Sequence, residues 1–174
     1  YEDIMEGKKS PASGRVYTLQ YTTPHLIHRC HSVYDNTSML MDTIPHGVMI
    51  NPQDAAQRNI QDGEKVYVYN DMGCTKLKAI VTKAQPKGVV SITQGAWYQP
   101  SKDETYEAWF DADYDGKAEK HVVPVDVGGC MNVLLTDQDT GVSDPVLNKE
   151  TGDSCGMYVN GLLCEVSKTL PNFG

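Results

Sequence analysis

The chain has 174 residues, with 15 Lys and Arg against 23 Asp and Glu and a net charge of -8. That length fits one domain with a real core, and the acidic balance excludes a broad basic face for nucleic acid. Hydrophobic residues make up 40% of the chain and the mean hydropathy is -0.44, with no apolar run approaching the ~20 residues of a membrane helix.

The opening residues Tyr1-Glu2-Asp3-Ile4 show neither an initiator Met nor a signal-peptide pattern, as expected of a piece cut from a longer chain. Strand-like alternation begins over residues 15–23. A loop rich in His follows, and a short helix is expected to start near Asp35 and Asn36 and to cover Thr37 to Asp42. A clearer helix starts at Asn51: Asn is a good cap, Pro52 suits the first helical position and Asp54 favours the first turn. Strands are expected over 65–70 and 75–82, joined at Asn70-Asp71-Met72-Gly73, a hairpin-turn signal. Further strands are expected near 88–93, 121–127, 132–135 and 161–167. Residues 101–122 break the pattern with a run of carboxylates around Gly116 and read as a surface insertion in the single domain 1–174. Many strands with few short helices predict a mainly β barrel rather than a parallel sheet with crossover helices.

Several residues carry chemistry. His25, His28, Arg29, His31 and Ser32 crowd a loop after a strand, where backbone N–H groups, imidazoles and a guanidinium fork suit a phosphate. The same fork suits a carboxylate, and three His near a loop are also ordinary surface residues. A zinc site from His25, His28 and His31 has the spacing but no evident fourth ligand. Gln94 and Trp97 follow a strand end: the amide can pair with a heterocycle edge and the indole can wall a flat ring, or both can be simple packing. Asn132 follows Gly128-Gly129, where backbone can approach a ligand closely. Asp111, Asp113 and Asp115 alternate before Gly116, with Glu119 beyond, like the first half of a calcium loop. Val122 stands where an EF-hand needs its bidentate Glu, so the alternatives are weak calcium binding and a solvated acidic loop. Five cysteines, Cys30, Cys74, Cys130, Cys155 and Cys164, lack C-x-x-C spacing and are expected as buried free thiols. No Walker-type glycine loop or supported Ser-His-Asp set is present, and no catalytic residue is assigned.

Four stretches in order resemble a known family: Pro24-His25-Leu26-Ile27-His28-Arg29-Cys30-His31-Ser32; the run from Ile50-Asn51-Pro52 through Asp62-Gly63 to Val66; Gly95-Ala96-Trp97-Tyr98-Gln99-Pro100; and Gly128-Gly129-Cys130-Met131-Asn132-Val133-Leu134. Together, over roughly residues 15–168, they resemble the C-terminal molybdopterin dinucleotide-binding domain of the dimethyl sulfoxide reductase superfamily. The last two stretches look most like the catalytic chain of membrane-partnered dimethyl sulfoxide reductases.

The resemblance implies a double-psi β-barrel with a few short helices, closing over bis(molybdopterin guanine dinucleotide) molybdenum. It implies cofactor contacts at His25, His31, Ser32, Val33 and Asn132, and at Val159 and Asn160 when the alignment is counted back from Cys164. Arg29, Gln94 and Trp97 join these as candidates. The molybdenum ligand and an iron–sulfur cluster are expected elsewhere in a longer chain. An iron–sulfur electron-transfer subunit, a membrane anchor subunit and a periplasmic location are expected by resemblance alone. The implied activity is reduction of an S-oxide or N-oxide such as dimethyl sulfoxide, with the isolated domain inactive. The alternatives are a sister molybdoenzyme acting on nitrate, formate, sulfur, arsenic or aromatic hydroxyl substrates, and a non-catalytic barrel that binds protein.

Overall fold

Residues 15–23 alternate apolar and polar, and in the computed structural model they form two short strands, β2 (Val16–Tyr17) and β3 (Leu19–Thr22), after a two-residue β1 (Lys8–Lys9). The structure describes residues 8–10, 12–44, 46–113, 117–135 and 162–173. The strands that follow are β4 (Gly47–Ile50), β5 (Lys65–Tyr69), β6 (Cys74–Val81), β7 (Val89–Ile92), β8 (Pro100–Phe110), β9 (Glu119–Asp126) and β10 (Leu162–Ser167).

Six of these strands close on themselves in the order β4-β7-β3-β10-β5-β6, because β6 pairs back onto β4. Two pairings in the ring are parallel, β3 with β7 and β4 with β6, and the rest are antiparallel. The result is the expected mainly β, double-psi barrel. Closure removes the sheet edges that an open sheet would expose. The period of two sends Leu19, Tyr21, Val48, Ile50, Val66, Val68, Val90 and Ile92 inward, all but fully buried in one core cluster.

The helices are short, as expected. Helix α1 (Ser38–Thr43) starts later than Asp35, with Thr37 at its cap making no side-chain capping bond. Helix α2 (Pro52–Gln57) is capped as expected: the Asn51 side chain accepts the Gln53 N–H at 2.9 Å. Asp54 does more than favour the helix N-terminus, since its carboxylate also accepts the Gly88 N–H at 2.7 Å. Arg58 then ties the helix to β10 by an ion pair with Glu165 at 2.6 Å.

One expectation is corrected. Residues 132–135 are not a strand: Met131–Leu134 form a 3-10 turn. Met131 and Leu134 are both buried, and a repeat of three residues puts them on one side where alternation cannot. Its Leu134 carbonyl receives the Tyr21 hydroxyl at 2.9 Å and the Asn70 amide at 2.8 Å, so the turn caps one end of the barrel. The described residues of 101–122 lie outside the six-stranded ring and are largely strand. Strand β8 runs through the first part of the stretch and pairs antiparallel with β9, which joins β6 at Thr75 and Asp126. Tyr106, Ala108 and Val125 pack with Tyr67 and Cys74 in a second core cluster, and Arg15 donates to the Tyr106 hydroxyl at 2.9 Å and the Glu107 carbonyl at 2.6 Å. Among the carboxylates of the stretch, Glu104 pairs with Lys76 at 2.7 Å.

The thiol expectation holds for Cys74, Cys130 and Cys164. Cys30 is exposed instead, because its loop lies open at the barrel end, and Cys155 lies outside the described residues.

The barrel and the hairpin should respond differently to truncation. Ile92→Ala opens a cavity in a fully closed core and is expected to cost about 2–5 kcal/mol. Val122→Ala, at 69% exposure on the hairpin, is expected to stay within about 0.5 kcal/mol of the parent. Urea unfolding midpoints at constant m-value measure both.

Candidate functional site

The pairing directions bring scattered loops to one end of the barrel. Strands β3, β5 and β7 finish there, and β4, β6 and β10 begin there. The loop after β3 holds His25 to Val33, the loop after β7 holds Gln94 and Trp97, and the segment after β9 holds Gly128 to Asn132.

The first two loops meet through side chains. The His25 and His31 rings lie edge to face with centroids 5.3 Å apart, and the Gln94 amide sits 2.8 Å from His25 Nδ1 and 3.4 Å from His31 Nδ1. Trp97 donates its indole N–H to the Ser32 carbonyl at 2.8 Å, which orients the ring, and it remains 48% exposed. His25, His31, Ser32, Val33 and Asn132 are all exposed on this end. Gly95 makes the crossing possible: its φ is +93°, and a Cβ there would lie 1.7 Å from the His31 carbonyl oxygen. His31 itself takes a left-handed φ of 51°, and Tyr34 one of 74°.

Arg29 is a correction. Its side chain has no solvent exposure and faces Asp35 at 2.9 Å, with further bonds to the Gln94 carbonyl and the Met41 sulfur. Of the two partners that its fork suits, the carboxylate holds it, and the residue braces the loop from within. The Val33 N–H donates to the Cys30 carbonyl at 2.9 Å, and its side chain is 52% exposed. His28 turns away from His25 and His31 towards the Met41 sulfur at 3.5 Å. Among the described residues no three His, Cys, Asp or Glu side chains gather for a metal ion. That bears on the zinc alternative; of the acidic loop, Asp111 and Asp113 follow β8 and Glu119 opens β9. Asp115, Val159 and Asn160 lie outside the described residues.

Three residues that sequence reasoning passed over join the loops. Asp35 accepts the Trp97 backbone N–H at 2.8 Å while it holds Arg29. Asp126, with no exposure, accepts from the Thr75 hydroxyl and from the N–H groups of Gln99, Gly128 and Cys130. His46 bridges Thr93 and the Gly129 carbonyl, at 2.7 and 2.8 Å, and burial pushes its pKa below the ordinary value. Only Asp126 left a sequence signal: an Asp two residues before a Gly turn is an Asx-turn pattern. A cavity of about 520 Å³ opens beside His46, Val127 and Gly128, with Lys65 and Lys78 on its wall. It does not include His25, His31 or Ser32, which stand on open surface.

The arrangement presents two imidazoles, an amide at Gln94, a hydroxyl at Ser32, another amide at Asn132 and an indole face. Such a set suits a flat heterocycle with polar edges and an attached anion. The buried side chains include two nitrogens with no partner, His28 Nδ1 and Arg29 Nε, both under this loop.

Comparison with known proteins gives a consistent picture. Residues 19–147 match the family model described as the molydopterin dinucleotide binding domain. The chain is 38% identical over 136 residues to dimethyl sulfoxide reductase DmsA of Escherichia coli (strain K12), covering 78% of this chain and 14% of that protein. It is 37% identical over 129 residues to a trimethylamine-N-oxide reductase of Haemophilus influenzae, covering 71% and 14%. With the dimethyl sulfoxide/trimethylamine N-oxide reductase of Rhodobacter capsulatus it shares 32% over 158 residues, covering 89% and 16%. Acetylene hydratase from Pelobacter acetylenicus shares the fold, with a TM-score of 0.57 at 19% identity over 88% of this chain and 18% of that one. The chain thus spans only a small part of the length of the relatives it matches.

The Arg29–Asp35 pair gives a test of the scaffold. Asp35→Ala strands a buried guanidinium and is expected to cost about 3–5 kcal/mol, whereas the double change Arg29→Met with Asp35→Leu should recover most of that loss. Chemical denaturation of the single and double variants reads the difference.

Proposed function

This chain belongs to the molydopterin dinucleotide binding domain family, and from that premise we propose that it closes over bis(molybdopterin guanine dinucleotide) molybdenum in a larger oxidoreductase that reduces an S-oxide or N-oxide such as dimethyl sulfoxide. The observation that carries the proposal is the convergence at one barrel end of donors scattered from His25 to Asn132 in the chain. A protein-binding barrel has no need of that donor set. The names of the relatives, dimethyl sulfoxide and trimethylamine-N-oxide reductases, favour the substrate class.

The donor set fits the cofactor. Asn132 both donates and accepts at an amide, which matches the edge of a pterin or guanine. His25 and His31 offer ring N–H groups to phosphate oxygens, and no acidic residue lies between Pro24 and Tyr34 to repel them. Trp97 has its N–H engaged by Ser32, so what it offers is its face. Gln94 sits between both imidazoles and keeps them in register. Val159 and Asn160 are proposed as further contacts. When bound, the cofactor supplies the redox and oxygen-atom-transfer chemistry. This chain binds and orients.

The same end exposes Ile27 at 85%, Met39 at 73% and Val33, Tyr34 and Tyr98 at about half. Large exposed apolar side chains gathered by these loops point to a contact surface. We assign it to contact with the rest of the catalytic chain. An iron–sulfur cluster in that remainder, an electron-transfer subunit, a membrane anchor and a periplasmic site complete the proposal and rest on resemblance.

Two measurements test it. In the full-length enzyme, Asn132→Ala is expected to lower molybdenum and guanine nucleotide per chain, a lost polar contact costing ~1–3 kcal/mol; unchanged occupancy would remove Asn132 from the site. The purified 174-residue chain is expected to show no turnover of dimethyl sulfoxide with a reduced dye, and turnover would refute its role as a binding domain only.

A further inference from the structure

His46 lies outside every stretch that carries the family resemblance, yet it touches both halves of the site. Its Nε2 is 2.8 Å from the Gly129 carbonyl oxygen, and its Nδ1 is 2.7 Å from the Thr93 hydroxyl. A carbonyl only accepts, so Nε2 carries the hydrogen; in a neutral ring Nδ1 then accepts, and the Thr93 O–H donates to it. Thr93 stands directly before Gln94, and Gly129 leads into the turn that holds Asn132. The packing is close: a Cβ on Gly129 would lie 2.4 Å from His46 Nε2, and the φ of Gly129 is +79°.

We infer that His46 is a positioning residue of this site, a strut whose single neutral tautomer sets the Asn132 turn against the Gln94–Trp97 loop. The inference rests on the cofactor reading for its purpose and on the two hydrogen bonds for its geometry. The charged groups that act on the ring are Arg29, Asp35 and Asp126, and Asp42, Lys65, Lys76 and Lys78 line the cavity beside it. Burial outweighs the nearby carboxylates and lowers the pKa of the ring below its ordinary value. The folded state therefore favours the neutral ring. The contribution of the strut is complete above the ordinary His pKa of about 6.5 and is lost as pH falls through the lower value of the folded protein. Protonation would put a hydrogen on Nδ1, force the Thr93 hydroxyl to turn its own proton elsewhere, and place a buried cation near Arg29.

The test begins without any ligand. Nitrogen NMR of the labelled chain at pH 7 should show His46 neutral with its hydrogen on Nε2. In His46→Ala the amides of residues 129–134 should exchange with solvent roughly tenfold faster or more, while those of β4 and β7 keep their rates. His46→Gln, whose amide reaches the same carbonyl, should restore slow exchange. Acidification should lower the protection factors of the same amides, that is, their rates relative to intrinsic exchange at each pH, in the parent chain and leave those of the Gln variant flat, a response that plain packing would not give. The Gln variant and the pH series decide the matter even where the Ala variant fails to fold. The opposite tautomer, or protection at 129–134 indifferent to substitution and pH, would overturn the inference. In the full-length enzyme His46→Ala should also lower guanine nucleotide per chain. A loosened turn with full cofactor retention would instead overturn the assignment of that turn to the cofactor site.

Discussion

A carboxylate withdrawn from water must be supplied with hydrogen bonds or give up its charge, and the way Asp126 meets that demand organises the functional end of this barrel. Its two oxygens take four donors: the Thr75 hydroxyl from β6, the Gln99 N–H from the loop beyond Trp97, and the Gly128 and Cys130 N–H groups from the turn leading to Asn132. One buried group thus fixes a strand, a loop and a turn relative to each other. Charge-assisted bonds of this kind are the strong ones, and each donor would be left unsatisfied if the loop or the turn moved away.

Asp35 repeats the device on the other side. It holds the enclosed Arg29 guanidinium and the Trp97 N–H together, so the His-rich loop and the Gln94–Trp97 loop share a braced base. His46 supplies the third tie, between Thr93 and Gly129, without adding charge while it stays neutral. The acids nearest the site are therefore spent on internal donors. That matters in a chain of net charge -8, because an anionic ligand would meet exposed imidazoles, amides and a hydroxyl rather than free carboxylates. The 3-10 turn adds stiffness below, with Leu134 pinned by Tyr21 and Asn70 across the barrel mouth.

The β8–β9 hairpin shows how a closed barrel accepts an addition. It cannot join the ring, so it leans on the outside of β5 and β6, buries Tyr106 and Ala108 there, and meets the loops of the site at its two ends, Pro100 and Asp126. The second core cluster serves this attachment and leaves the first, inside the barrel, untouched.

Local chemistry determined a good deal of this in advance. The Asn51 cap, the strands of alternating pattern and the Asn70–Gly73 turn depend on neighbours a few residues away, and each is legible in the chain. The order of the His25–Ser32, Gly95–Pro100 and Gly128–Leu134 stretches carried the family and, with it, the barrel. What the tertiary structure alone decided was which polar group faces outward and which is used up inside. Arg29 looked like a ligand for phosphate because its fork fits one; only the fold brings Asp35 and the Gln94 carbonyl to it first. Residues 132–135 looked like a strand because the chain there is short and mostly apolar; only the fold buries Met131 and Leu134 together, which a turn of three residues does and a strand does not. His46 gave no signal at all, since its partners are Thr93 and Gly129, far along the chain. Partners that distant meet only when the barrel closes, because strand pairing, and not sequence spacing, sets which loop ends stand side by side.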